Sequence, residues 1–350
     1  MQVHHLSDQS AADDADAQSR LSQAARDYTP TTDDRSIRRV PEDLKNPIAV
    51  AGAPVSFGAF EVTVGVDPNV PDAVRVLDAV QRDGYDGIDL GPIGYLGTRD
   101  NLREHLRSRG LNLAGGYMPL PLSDPARMKP AIAELRTLLD LFDTVKTTDD
   151  VPAPKPTLAD AGSAARRLAP GKAHSDRSLG LEPEGWDRLA ANLQEAVQLC
   201  RARGYEPTFH HHAGTYVEAP WEIEELLARS DIGLCLDTGH LVLGGGDPVR
   251  AISDWGPRIN HVHLKDVRRS VIDAVVREGG DMMQVWRRGA FCRLGTGDLD
   301  IDAVLQGLRA RDYRGWLVVE QDMIPGPETP GDAAAIDQDK NRAYLRARGL

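Results

Sequence analysis

From Ile48 onward the chain alternates short apolar runs with stretches whose apolar residues recur every three or four positions, a pattern that predicts strands and helices in turn. The strand-like runs are 48–58 (a strand with its loop), 85–91, 111–122, 155–162, 208–212, 232–240, 259–266 and 315–322. Helical spacing fills 71–84, 98–110, 123–142, 183–204, 220–230 and 301–312, and 247–255 links the sixth strand to the seventh. Pro71 and Gly84 bracket the first of these helices, and Ser123 offers an N-cap to the third. Residues 267–297 interrupt the alternation, with a predicted helix over 271–287 and an LGTGD turn. Eight strands alternating with helices predict an α/β protein with a (β/α)8 TIM barrel.

Residues 1–47 read differently. They are rich in Asp, Ser, Ala, Gln, Thr and Arg, which predicts a disordered or loosely docked extension before a single barrel over 48–350. No signal-peptide apolar region and no run of 18 apolar residues is present, so no membrane association is expected. A net charge of -12 and the lack of a basic, aromatic-studded patch argue against nucleic acid as a partner. Cys200, Cys235 and Cys292 are widely spaced without a CxxC, which fits free thiols in a reducing, cytoplasmic setting.

Three consecutive strand-like runs, TFHHH, IGLCLDTGH and INHVHLKD, end on polar residues. In a parallel βα barrel the carboxyl ends of the strands share one crevice, which should gather His210, His212, Asp237, His240, His263 and Lys265. Alternation along a strand puts His210 and His212 on one face, Cys235 with Asp237, His261 with His263 and Lys265, and Val318 with Glu320. His210, Asp237, His263 and Glu320 then form a ring of candidate metal ligands. Two imidazoles and two carboxylates suit Mn2+, Co2+, Fe2+ or Zn2+, whereas Mg2+ favours a set richer in oxygen. One such group could be a core histidine or a cap; recurrence on four strand ends points to a site.

The motifs LDTGH (236–240), HVHLKD (261–266) and VVEQD (318–322) resemble those of the sugar phosphate isomerase/epimerase superfamily of xylose isomerase-like barrels. Within it, FHHHAGT (209–215), DTGHLVLGGGDP (237–248), RINHVHLKDVR (258–268), DLGPIGYLG (89–97) and GGYMPLPL (115–122) are similar to the inosose dehydratase family. The superfamily uses a Glu, an Asp, a His and a Glu on strands five to eight around one divalent ion. Asp237, His263 and Glu320 match the last three, while His210 stands where the first Glu belongs and Glu218 is the alternative. The resemblance implies substrate contacts from His240 and Lys265, and His211 and Asp266 join them as candidates. It also implies a small polyol or sugar-ketone substrate and, often in this superfamily, a homo-oligomer.

A metal-bound ketone has an acidified α proton, so a base can remove it. Expulsion of the β-hydroxyl with general-acid help then gives dehydration, and reprotonation gives epimerisation or isomerisation. Glu320, His212, His240 and Lys265 are the available acids and bases. The expected activity is removal of water from a polyhydroxy ketone such as 2-keto-myo-inositol, with Mn2+ or Co2+ as the leading ions. A ketose 3-epimerase is the alternative, and a non-catalytic sugar-binding barrel ranks behind both. Repair endonucleases share the barrel, but Gly289 and Phe291 stand where they carry a His and an Asp, which argues against phosphodiester cleavage.

Overall fold

The computed structural model describes residues 48–145, 151–326 and 328–350, and the predicted extension over 1–47 lies outside them. Strands β1 (Ile48–Gly52), β2 (Gly87–Ile88), β3 (Asn112–Leu113), β4 (Gly115–Leu120), β5 (Lys155–Asp160), β6 (Thr208–His210), β7 (Gly233–Asp237), β8 (Ile259–Leu264) and β11 (Gly315–Val319) form one sheet. All its pairings are parallel, in the order β3-β2-β1-β11-β8-β7-β6-β5-β4. Only Ala114 separates β3 from β4. Its N–H donates to Ile88 O on one side and its O accepts from Lys155 N on the other, so β3 and β4 act as one stave and close an eight-stave barrel. The expected fold is therefore observed. β1 and β11 are buried along their whole length, because helices cover one face and the packed barrel interior the other.

The staves alternate with α1 (Ala73–Arg82), α2 (Leu102–Arg107), α3 (Pro125–Thr144), α4 (Ala164–Arg167), α5 (Pro183–Ala202), α6 (Pro220–Arg229), α7 (Thr238–Leu243), α8 (Pro248–Trp255), α11 (Ile301–Ala310) and α12 (Ala333–Arg346). Asp72 caps α1 by accepting from Arg75 N, and Asp300 caps α11 by accepting from Ala303 N. The apolar faces of these helices, with Leu77 and Val80 of α1 and Val304 and Leu308 of α11, pack on the sheet as one continuous core.

Two expectations need correction. The fifth stave stops at His210, so His212 lies in the following loop. The insertion carries two helices, α9 (Arg269–Glu278) and α10 (Met282–Arg287), in place of one over 271–287. Gly279 ends α9 in the left-handed conformation (φ 72°), a geometry open to glycine at little cost. The insertion also pairs β9 (Asp266–Val267) antiparallel to β10 (Phe291–Cys292). Ile272, Val275, Met282, Val285 and Phe291 pack it onto Ala213 in the loop after β6 and Val242 of α7, beside the barrel mouth.

Candidate active site

At the carboxyl end of the barrel, Asp237 ends β7 and at once caps α7, its Oδ1 accepting from His240 N at 2.8 Å. Thr238 locks this corner to β8 by donating to Lys265 O (2.7 Å) and accepting from Lys265 N (2.8 Å). Gly239 is required there, since a Cβ would stand 2.8 Å from Lys265 Cβ and from a ring carbon of Phe291. The strand-to-helix turn of DTGH thus fixes Asp237, His240 and Lys265 together.

Asp237 Oδ2 is the hub of the site. It lies 3.2 Å from His210 Nε2, 3.7 Å from His263 Nδ1 and 2.5 Å from Lys265 Nζ. Glu320, just past β11, places Oε2 3.0 Å from His263 Nδ1 and also bonds Lys265 Nζ. Asp322 reaches Lys265 Nζ at 3.4 Å and His240 Nε2 at 3.7 Å. The rings of His212 and His240 lie 3.8 Å apart. Although outside the strand, His212 is therefore in the cluster.

Burial alone would push the Asp237 and Glu320 carboxyls up. For Asp237 the opposing charges of Lys265, His240 and His210 win, for Glu320 those of His263 and Lys265, and both stay well below the usual range. The Lys265 ammonium is held well above its ordinary value against burial by Asp237, Asp322 and Glu320. Asp322 lacks that degree of compensation, and burial pushes its carboxyl up to about 7. Burial also lowers His212 to about 3, leaving the ring neutral. Its Nδ1 lies 2.8 Å from Ala213 O; a carbonyl only accepts, so Nδ1 carries the proton and Nε2 keeps a free lone pair.

The donor set fits a divalent metal. Ligand atoms of Asp237, His263 and Glu320 lie within 4.8 Å of one another, as do those of His210, Asp237 and His240. His210 Nδ1 is buried without a hydrogen bond, His263 Nδ1 faces Glu320 Oε2 at 3.0 Å, and the two carboxylates are held ionised as ligation requires.

Three sequence candidates lie elsewhere. Glu218 is withdrawn from the ring: Oε1 accepts from Gly171 N (3.0 Å) and Oε2 from Gly214 N (2.5 Å), beside Arg166 at 3.8 Å. Asp266 is fully enclosed and accepts from Val267, Gly295, Gly297 and Leu299 N–H, which makes it the clamp of the LGTGD turn. His211 is also enclosed, and its Nε2 accepts Asp237 N–H at 3.2 Å, bracing the backbone of the hub. Sequence reasoning passed over Asp322 and Asp89. Asp322 continues the alternation set by Glu320, a signal present in VVEQD; Asp89 reaches the His261 and His263 rings from the β2 loop with no such pattern.

A model of the xylose isomerase-like TIM barrel matches residues 77–340. The chain belongs to this family. The chain is similar to the inosose dehydratase of Geobacillus kaustophilus, with 29% identity over 293 residues, 83% of this chain and 92% of that protein. It is 37% identical over 168 residues to the inosose dehydratase of Bacillus thuringiensis, covering 47% of this chain and 55% of that one. Among solved xylose isomerase-like barrels, the IolI protein with a bound zinc atom superposes with a TM-score of 0.63 at 14% identity, over 86% of this chain and 99% of that one. Among the described residues no helix is long and apolar enough to cross a membrane.

Proposed function

We propose that this chain is a metal-dependent lyase that removes water from a cyclic polyhydroxy ketone, with scyllo-inosose as substrate and Mn2+ or Co2+ as the ion. The observation that carries the reading is the ring of His210, Asp237, His263 and Glu320 with the His212–His240 pair beside it. Similarity to proteins named inosose dehydratase over most of the barrel supports the choice of substrate. In the ring, His210, Asp237, His263 and Glu320 would hold the ion, which when bound polarises the ketone and acidifies the neighbouring C–H.

The rest falls to the protein's own groups. His212 Nε2, with its lone pair free, takes the α proton. Lys265, fixed by three carboxylates, orients an oxygen of the substrate by charge and hydrogen bonding. His240 and Asp322, 3.7 Å apart, form the pair that delivers a proton to the departing β-hydroxyl. The C–H electrons become a carbon–carbon double bond, the C–O bond breaks, and the hydroxyl leaves as water. Burial of the cluster excludes bulk solvent from these transfers.

The test is incubation of Mn2+-loaded protein with scyllo-inosose, read by mass. Loss of one water is expected, and Asp322→Asn should slow it by about 10²-fold with metal content unchanged. A product of unchanged mass would assign the barrel to epimerisation. Full turnover in chelator would overturn the metal role.

A further inference from the structure

Cys235 lies two residues before Asp237 on β7 and on the same face, so its thiol points to the axis one layer beneath the carboxylate ring. In the sheet register it pairs with His210 on β6 and with His261 on β8. Donor atoms of His210, Cys235 and His263 all lie within 4.8 Å of one another. Beside this cluster, His210 Nδ1 and both ring nitrogens of His261 are buried without a hydrogen bond, while His263 Nδ1 faces Glu320 Oε2 at 3.0 Å. Buried polar groups without a partner are costly, so a bound ion that engages the His210 ring offsets part of that cost.

We propose that this layer is a second, softer metal seat, formed by Cys235 Sγ with ring nitrogens of His210 and His263, which takes Zn2+ in preference to Mn2+. The inference rests on the reading of His210 and His263 as metal ligands given above. Both imidazoles serve either seat, so the two compete for one ion. Asp237 and Glu320 make the upper seat oxygen-rich and suited to Mn2+, whereas a thiolate favours Zn2+. Ligation requires Cys235 to lose its proton, which passes to solvent as the metal enters.

X-ray absorption on the full chain, stripped of metal and loaded separately with Zn2+ or Mn2+, tests this. The Zn2+ shell should contain one sulfur at about 2.3 Å beside nitrogen at about 2.0–2.1 Å, and the Mn2+ shell should contain none. Cys235→Ser should remove the sulfur and weaken Zn2+ binding by about tenfold or more, with Mn2+ affinity unchanged. Should that variant fail to fold, the two wild-type spectra still decide. A Zn2+ shell of nitrogen and oxygen alone would overturn the second seat and leave the carboxylate ring standing. Failure of both ions to bind would overturn the second seat and the ring reading it rests on.

Discussion

Asp160 ends β5 with almost no access to solvent, yet its Oδ2 accepts only backbone N–H bonds, from Gly162 at 2.8 Å and Tyr216 at 3.0 Å. Burial outweighs these bonds and pushes the carboxyl up to about 6 from its usual 3.8. The folded state therefore holds a proton more tightly than the unfolded chain, and this contribution to stability is full below about pH 4 and lost as pH rises through about 6. The loss is on the order of 2–3 kcal/mol. Asp160→Asn removes it, so denaturation of the two proteins at pH 4 and at pH 7 should show the variant gaining on wild type by that amount. A difference independent of pH would show that Asp160 does not titrate in this way. The same contrast explains which single residues were readable in the sequence. Alternation along a strand located His210, Asp237 and His263, because facing depends on local period alone. Asp266, a candidate introduced with the resemblance, has its oxygens satisfied by amides up to 33 residues away, which no local period encodes. His211, which alternation sets on the opposite face from His210, likewise has its partner out of local reach, in the Asp237 backbone on the next strand.

At the scale of elements, helix spacing and apolar runs gave the barrel order correctly, since each stave and helix buries its own face against the next. The insertion was less legible: 271–287 keeps helical spacing across Gly279 and Gly280, and only the turn geometry divides α9 from α10. The loop after β6, which carries His212, depends on a buried clamp. Arg166 in α4 meets both Glu222 oxygens at 2.9 Å, and Glu222 Oε2 in turn accepts from Glu218 and Ala219 N–H at 2.9 Å. Removing the guanidinium leaves Glu222 and Glu218 buried without their cation, at a cost of about 3–5 kcal/mol. Arg166→Met should therefore lower the thermal midpoint on the order of 10 °C. Adding Glu222→Gln should recover part of the loss, since a neutral amide needs no counter-charge. An unchanged midpoint in Arg166→Met would mean that the loop is held by its other contacts.

For the molecule as a whole, the candidate ligands come from four places around the barrel: His210 ends β6, Asp237 ends β7, His263 lies in β8 and Glu320 follows β11. β6, β7, β8 and β11 are neighbours in the sheet, so one ion would join half of the staves at the mouth. The same mouth gathers Asp237, Glu320 and Asp322 around the Lys265 ammonium, leaving more carboxyl groups than cations. An ion that binds the folded chain and not the unfolded one stabilises it by about 2.7 kcal/mol at a free concentration 100 times its Kd. For a domain of this size that corresponds to a rise in Tm of about 4 °C. Thermal unfolding in Mn2+ against chelator should show such a rise, dependent on ion concentration. Asp237→Asn should abolish it, because the hub oxygen that links His210, His263 and Lys265 loses its charge. A midpoint unmoved by Mn2+ across a wide range of concentration would mean that the four groups do not act together as a ligand set, whatever their distances.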